Sequence, residues 1–142
     1  MRLALDGARK ALENSEIPVG CVIACGDTVV SSAENESEQK NDVTAHAEML
    51  AISRAGRHAL KGTTLYVTLE PCPMCAGAIA LSGIKRVIYG AKDSKYGCCG
   101  SIYRITEDPV FPNFCPADGG LLEQECAELM SEGFRRIRGK KP

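Results

Sequence analysis

A buried strand that runs directly into two cysteines constrains the fold of this chain more than any other feature. Residues 64–69 alternate apolar and polar side chains with a period of two, which predicts a strand. Pro71 and Pro73 end that strand and favour the start of a helix. Cys72 and Cys75 then lie on one face of the first turn of this helix. The segment therefore predicts a strand-to-helix turn that presents two thiols side by side.

A His-x-Glu pair, His46 and Glu48, stands upstream at the head of a second predicted helix. One imidazole and two thiolates are good zinc ligands, and three protein ligands leave the fourth position open, as in catalytic sites. Helix amino termini also favour thiolate over thiol. Glu48 can lie beside the metal without binding it, where a general acid/base belongs. The sequence therefore predicts one zinc ion per chain, held by His46, Cys72 and Cys75, with Glu48 as the catalytic residue.

Two other interpretations of the cysteine pair remain open. A Cys-x-x-Cys pair can be a redox couple, although such a couple has no need of a His-x-Glu pair. It can also be half of a structural zinc site, which would take a fourth ligand from His58 or from the adjacent Cys98 and Cys99. Free cysteines are commonly buried, so we expect Cys98 and Cys99 to pack in the core.

Length, charge and cysteine content bound the class of protein. The 142 residues predict one domain spanning 1–142, large enough for a hydrophobic core. A net charge of −1 gives no basic field over the whole molecule, so contact with nucleic acid must come from a local patch. Charges interrupt the amino-terminal apolar residues, and no segment has the length of a membrane span. We therefore expect a cytoplasmic protein without a membrane partner, whose eight cysteines are reduced.

The order of the predicted elements indicates an α/β fold, in which a mixed central sheet lies between two layers of helices. Residues 90–120 are rich in glycine, proline and cysteine and predict a long irregular segment. The other predictions are helices at 1–14, 45–55, 73–82 and 120–138, strands at 19–24, 28–33, 64–69 and 85–89, and a loop at 34–43.

The combined pattern His-x-Glu followed by Pro-Cys-x-x-Cys is the signature of the zinc deaminases that act on nucleobases. Over nearly its whole length the chain resembles this cytidine deaminase-like superfamily. Within the superfamily it is most similar to the bacterial tRNA-specific adenosine deaminases, which make wobble inosine. The residues that carry the resemblance are 16–20, 41–48, 65–72, 74–78, 89–93 and 97–101.

The resemblance implies a cytidine deaminase-like fold and hydrolytic deamination of adenosine in a tRNA anticodon loop, with Glu48 as the proton shuttle. It also implies that Asn35 hydrogen-bonds the purine. The segment 91–95, with Asp93 and Lys95, matches a loop that the family uses against the anticodon backbone. The family forms homodimers whose RNA site uses both subunits, so we expect a homodimer here as well.

A run of cations ends the last predicted helix: Arg135, Arg136, Arg138, Lys140 and Lys141. Cations at a helix carboxyl terminus are favourable without any ligand. In a chain of net charge −1 such a cluster can also bind phosphates, and we expect Arg135 and Arg136 to contact RNA. The neighbouring Phe134 can stack on a base or pack in the core.

Two alternative functions follow from the same residues. Pro73 between the zinc cysteines also occurs in relatives that act on free bases, so a deaminase of guanine, cytosine or a nucleoside is the second candidate. A non-catalytic, zinc-stabilised RNA-binding module is the third. Such a module would require neither Glu48 nor an exchangeable water.

Overall fold

The structure of the protein, a computed structural model, describes residues 1–140. It contains five helices and five strands, together with short 3-10 helices at Arg57–Ala59 and Ile105–Glu107. The helices are α1 (Arg2–Glu13), α2 (Ser37–Lys40), α3 (Ala47–Ala55), α4 (Pro73–Ala80) and α5 (Glu123–Gly139). The strands are β1 (Gly20–Cys25), β2 (Thr28–Glu34), β3 (Thr64–Leu69), β4 (Arg86–Ala91) and β5 (Ala117–Asp118).

The strands form one mixed sheet in the order β2-β1-β3-β4-β5. β1 pairs antiparallel with β2 and with β3, whereas β3–β4 and β4–β5 are parallel pairs. β1 and β2 form a hairpin through Gly26, whose φ of +57° lies in the left-handed region. β1 lies inside the sheet, and both Val22 and Ile23 are buried, because the two faces of the strand are covered.

Helices cover both faces of the sheet. α1 and α5 pack on one face, against β1–β2 and β3–β4 respectively, and α3 packs with α4 on the other. Close approach on the first face depends on two glycines: a Cβ on Gly20 would lie 1.9 Å from the Ala4 carbonyl, and one on Gly90 would lie 2.3 Å from the Cys126 sulfur. The predicted α/β/α architecture is confirmed.

Two local predictions were wrong. The segment 34–43 contains the short helix α2, and the segment 90–120 contains β5, which pairs only with Val87 and Ile88. These short elements depend on tertiary pairing, which hydrophobic periodicity does not report.

Within residues 1–140, every helix is too short or too polar to cross a lipid bilayer.

Candidate active site

The segments that carry the predicted site residues all reach the same edge of the sheet. β3 and β4 are parallel with Leu69 opposite Ala91, so both strands end there. β1 runs the other way, and its first residue, Gly20, pairs with Glu34 at the end of β2. Asn35 follows directly, and its main-chain N–H donates to the Val19 carbonyl at 3.0 Å. This convergence brings residues that are distant in sequence to one place.

His46, Cys72 and Cys75 form a cluster at this edge. Their candidate ligand atoms all lie within 4.8 Å of one another. His46 Nδ1 is 3.6 Å from each of the two sulfur atoms. Among residues 1–140 no other group of three or more such side chains meets this criterion. The three residues predicted as ligands are therefore brought together.

The chain positions these groups at two helix starts. His46 is the residue before α3 and Cys72 the residue before α4, and both have extended backbones. Pro73 is the first residue of α4. Proline lacks a main-chain N–H, and at this position no hydrogen bond within the helix is lost. Cys75, one turn into α4, is fully buried and projects from the same face as Cys72.

The protonation states of the two cysteines differ in the metal-free chain. Hydrogen bonds from Cys75 and His46 lower the pKa of Cys72 to about 4. The bond to the Cys72 thiolate, together with burial, raises the pKa of Cys75 well above its usual range. The hydrogen bond with Cys72 raises the pKa of His46. A bound dication would favour the thiolate form of both sulfurs, because cysteine must be deprotonated to bind a metal.

This donor set fits zinc. An imidazole nitrogen and two sulfurs match its preference for nitrogen and sulfur ligands, and two thiolates neutralise its charge. Cys98 and Cys99 are buried in the core, as expected, and His58 is exposed at the far end of α3. Within residues 1–140 the cluster holds no fourth protein ligand, as a structural zinc site would require. The arrangement is that of a catalytic site with one open position.

Glu48 lies in the first turn of α3 and is 4% exposed. Burial raises the pKa of its carboxyl to about 7, although the neighbouring Cys75 and His46 oppose that shift. A carboxyl with a pKa near 7 can both accept and release a proton at neutral pH, as a general acid/base must.

The cluster borders a cavity of about 700 Å³, which His46 and Cys72 line. Its size is within the range of cavities that take small ligands. The predicted residues His46, Glu48, Cys72 and Asn35 all line it. The remaining walls come from the segment before β1, the ends of β3 and β4, residues 92–96 and helix α5.

Asn35 is buried and carries an unpaired acceptor. Its amide nitrogen lies 3.3 Å from the Glu16 carboxylate and 3.4 Å from the Ile17 carbonyl, and donates to both. Its side-chain oxygen is the only buried side-chain polar atom without a hydrogen-bond partner among residues 1–140. Because Asn35 also lines the cavity, this oxygen is available to a ligand.

Residues 92–96 form the outer wall of the cavity. The Asp93 carboxylate accepts main-chain hydrogen bonds from Lys95 and Tyr96 at 2.9 and 3.0 Å, so one of its oxygens is used to shape the loop. The Lys95 ammonium lies 5.3 Å from the centre of the Tyr96 ring. Both side chains predicted to contact substrate therefore stand at the rim of the cavity.

Helix α5 presents different faces to the cavity and to solvent. Met130 and Phe134 line the cavity, and Phe134 is 45% exposed at its mouth. Arg135 lines a separate groove with Arg9 and several acids, and Arg136 is paired with Glu132. Neither predicted arginine lies in the wall of the cavity, and Lys141 is outside the described residues.

Sequence reasoning missed two buried carboxylates beside the cavity. Glu16 accepts hydrogen bonds from Asn35 and from the main chain of Glu38 and Gln39. Glu70, which follows β3 directly, is 2% exposed and accepts hydrogen bonds from residues of the 93–101 loop. The position of Glu70 directly before the Pro-Cys-x-x-Cys motif could have indicated a role at the site. Its hydrogen-bond partners could not be predicted, because they are distant in sequence.

The sequence of this chain matches a known protein family and characterised relatives. The family described as the cytidine and deoxycytidylate deaminase zinc-binding region matches residues 1–91, which include all three cluster residues. The tRNA-specific adenosine deaminase of Bacillus subtilis is 42% identical over 99% of this chain and 90% of its own length.

Two solved structures are informative. One, from a study of A-to-I editing by tRNA:A34 deaminases at the wobble position of transfer RNA, superposes with a TM-score of 0.85 at 42% identity. It covers 91% of this chain and 96% of its own. A guanine deaminase from Nitrosomonas europaea superposes with a TM-score of 0.79 at 19% identity, over 93% of this chain and 81% of its own. At that identity the second similarity shows the fold alone.

Proposed function

Because the chain belongs to the cytidine and deoxycytidylate deaminase family, and within it to the tRNA-specific adenosine deaminases, we propose that it converts adenosine to inosine at the wobble position of tRNA. The reaction is a hydrolysis: water adds at C6 of adenine and ammonia leaves. The observation that carries the proposal is the cluster of His46, Cys72 and Cys75 ligand atoms, of which His46 and Cys72 line one cavity together with the buried Glu48.

His46, Cys72 and Cys75 would hold the zinc. When bound there, zinc supplies a Lewis acid that makes water a nucleophile near neutral pH. Glu48 accepts a proton from the attacking water and delivers protons to the ring nitrogen and to the departing ammonia. The burial that raises the pKa of Glu48 suits a group that must both take and give protons.

Asn35 orients the base in the cavity. Its amide nitrogen is engaged by Glu16 and Ile17, its oxygen has no hydrogen-bond partner, and the residue lines the cavity. The target base must leave the stack to enter, which costs less in a single-stranded anticodon loop than in a duplex. Phe134 at the mouth offers a flat surface for a neighbouring base.

RNA contacts beyond the target base come from Asp93 and Lys95 at the rim of the cavity and from Arg135 and Arg136 on α5, of which the three cations can contact phosphates. An anticodon loop is far larger than one base, so contacts beyond the cavity are expected. Phosphate contacts fix the position of the RNA and do not read its sequence.

The enzyme acts as a homodimer. Helix α4 carries no charged residue, and the positions that it leaves partly uncovered, Met74, Gly77 and Ala78, are apolar. Leu81, at its end, is 65% exposed. A helix that is apolar all round is normally buried, so a second copy of the chain is a suitable cover. The enzyme acts in the cytoplasm, where tRNA is modified and where free thiols such as those of Cys21 and Cys126 stay reduced.

A direct test compares substrates side by side. Purified protein is incubated with an unmodified tRNA transcript that carries adenosine at position 34, with free adenosine, with guanine and with cytosine. We expect ammonia release and inosine, read by sequencing, only with the tRNA. A matched transcript with guanosine at position 34 serves as the control and should give no product.

Two results would contradict the proposal. Rapid turnover of guanine or cytosine without turnover of the tRNA would assign the site to a free base, and the zinc chemistry would stand. Tight binding of the tRNA by a zinc-loaded protein without any turnover would instead identify a non-catalytic binding module.

A further inference from the structure

Glu70 is a buried carboxylate that no step of the reaction uses. It is 2% exposed, and both of its oxygens accept main-chain hydrogen bonds. The N–H of Asp93 donates to Oε2 and the N–H of Ser101 donates to Oε1, each at 2.9 Å. These two donors lie at opposite ends of the segment 93–101, so a single side chain closes that segment into a loop.

The glycines of the loop make room for this carboxylate. A Cβ on Gly97 would lie 1.9 Å from Glu70 Oε2 and 2.4 Å from the Asp93 carbonyl oxygen. Gly100 has a φ of +147°, which side-chain-bearing residues rarely adopt, and it directly precedes Ser101. The Gly-x-x-Gly-Ser sequence at 97–101 is therefore explained by the way the loop wraps around Glu70.

Glu70 is also close in sequence to a candidate metal ligand, Cys72. Glu70 and Pro71 immediately precede Cys72, and the Pro71 carbonyl accepts a hydrogen bond from Cys98 N–H at 2.8 Å. The loop is thus tied to the ligand-bearing turn at three main-chain positions: Asp93, Cys98 and Ser101. The first residues of the loop, 93–96, form one part of the cavity wall together with the preceding Lys92.

We propose that Glu70 is a positioning residue for substrate recognition: it holds the cavity-lining segment 92–96 at a fixed distance from Cys72. Glu70 also lines the cavity, but both of its oxygens are engaged by main-chain donors, so this role needs no contact with substrate. Its effect passes through Asp93, Lys95 and Tyr96, which stand at the rim where RNA would bind. The inference rests on the proposed function, because it assigns the wall a role in holding the tRNA.

The test is the Glu70→Gln variant, which keeps the size of the side chain. In this variant an amide NH₂ replaces one of the two carboxylate oxygens. It would face the main-chain N–H of Asp93 or Ser101, so one charge-assisted hydrogen bond is lost and two donors are placed against each other. We expect KM for the adenosine-34 tRNA to rise by roughly 10- to 100-fold. The value of kcat and the zinc content should stay within about threefold of wild type, because the cluster and Glu48 are unchanged.

Glu107→Gln is the matched control. Its carboxylate also accepts a main-chain hydrogen bond, from Ala117 N–H at 3.0 Å, but Glu107 is not part of the cavity wall. This variant should keep the wild-type KM. An unchanged KM in Glu70→Gln, or an equal loss of kcat and zinc without a change in KM, would overturn the inference.

Amide hydrogen exchange keeps the inference testable if Glu70→Gln does not fold. In the wild-type protein the N–H groups of Asp93 and Ser101 should exchange slowly, and the neighbouring Ser94 N–H should exchange faster. Equal exchange at these positions would contradict the role of Glu70. The outcomes are separable: wild-type protein that fails to deaminate the tRNA contradicts the proposed function, whereas normal wild-type turnover with an unaltered Glu70→Gln variant contradicts only this inference.

Discussion

The proton on the Glu48 carboxyl affects both the proposed reaction and the stability of the fold. Its carboxyl is buried in the first turn of α3, next to Cys75 and His46, and it faces the cavity. An ionised carboxylate at such a site is costly unless a positive charge lies beside it. The same burial that prepares Glu48 for proton transfer therefore makes the metal-free protein sensitive to pH.

Replacing Glu48 with Gln should abolish turnover and leave the metal in place. The amide is nearly the same size but cannot accept the proton, and loss of a general acid/base typically costs about 10²- to 10⁴-fold in rate. Zinc content by elemental analysis should stay near one per chain, because Glu48 is not one of the three clustered ligands. Near-normal turnover in this variant would assign the shuttle to another residue.

The pH dependence of stability gives a second prediction for Glu48. Its pKa in the folded chain, about 7, lies above the ordinary value of 4.5, so the folded state holds this proton more tightly. The stabilisation is complete below pH 4.5 and is lost as pH rises through about 7.

Urea unfolding of the metal-free proteins measures this effect. Relative to Glu48→Gln, the wild-type protein should lose up to about 3 kcal/mol of unfolding free energy between pH 5 and pH 8. The comparison with the variant removes the titration of groups distant from Glu48, and the remaining difference reports Glu48 together with its coupled neighbours His46, Cys72 and Cys75. A difference between the two proteins that does not vary with pH would contradict the shift.

Helix α5 shows how a single element can serve two surfaces. Met130 and Phe134 face the cavity, whereas Arg135 and Arg136 lie among acids on the outside. Residues three or four apart lie on one face of a helix, so Met130 and Phe134 share the inner face, whereas Arg135 and Arg136 are rotated away from it. The position of the inner face defines part of the pocket, and the outer face is available to phosphates.

Arg135→Ala and Arg136→Ala should weaken tRNA binding and reduce its salt dependence. Each lost phosphate contact lowers the slope of log affinity against log salt by about 0.7–0.9. Arg86→Ala is the control, because Arg86 begins β4 at the edge opposite the cavity and is paired with Asp118 at 2.8 Å. An unchanged slope in the α5 variants would leave their arginines with a helix-end role only.

Periodicity and motif spacing predicted the parts of the site that are local in sequence. The strand at 64–69 and the helix starts near His46 and Cys72 agree with the structure, because each depends on a few adjacent residues. The partners of Glu70 could not be predicted, since they lie 23 and 31 residues further along the chain. β5 was missed for a related reason: two residues carry no period, and only their pairing with β4 makes them a strand.

At the scale of the whole molecule, the weak net charge and the apolar surface of α4 are the features that favour the proposed homodimer. A net charge of −1 gives little repulsion between two copies. The uncovered residues of α4 and the exposed Leu81 form an apolar surface on the face of the sheet opposite α1 and α5. The chain should therefore pair through this surface and leave the α5 side free.

Light scattering coupled to size exclusion should give a mass near twice the 15.2 kDa of one chain. Leu81→Glu places a charge on the α4 surface and should shift the protein toward the mass of a monomer. Leu3→Glu, on α1, changes a leucine of similar exposure, 59% against 65%, and should leave the dimer intact. A monomeric wild-type protein, or equal behaviour of the two variants, would contradict this interface.

The position of α5 after the metal-binding segments also sets an order in time. A ribosome delivers the residues of a protein from the amino-terminal side. His46, Cys72 and Cys75 precede Met130 and Phe134 of the cavity wall in the sequence. A growing chain therefore contains its three candidate zinc ligands before it contains the helix that completes this wall.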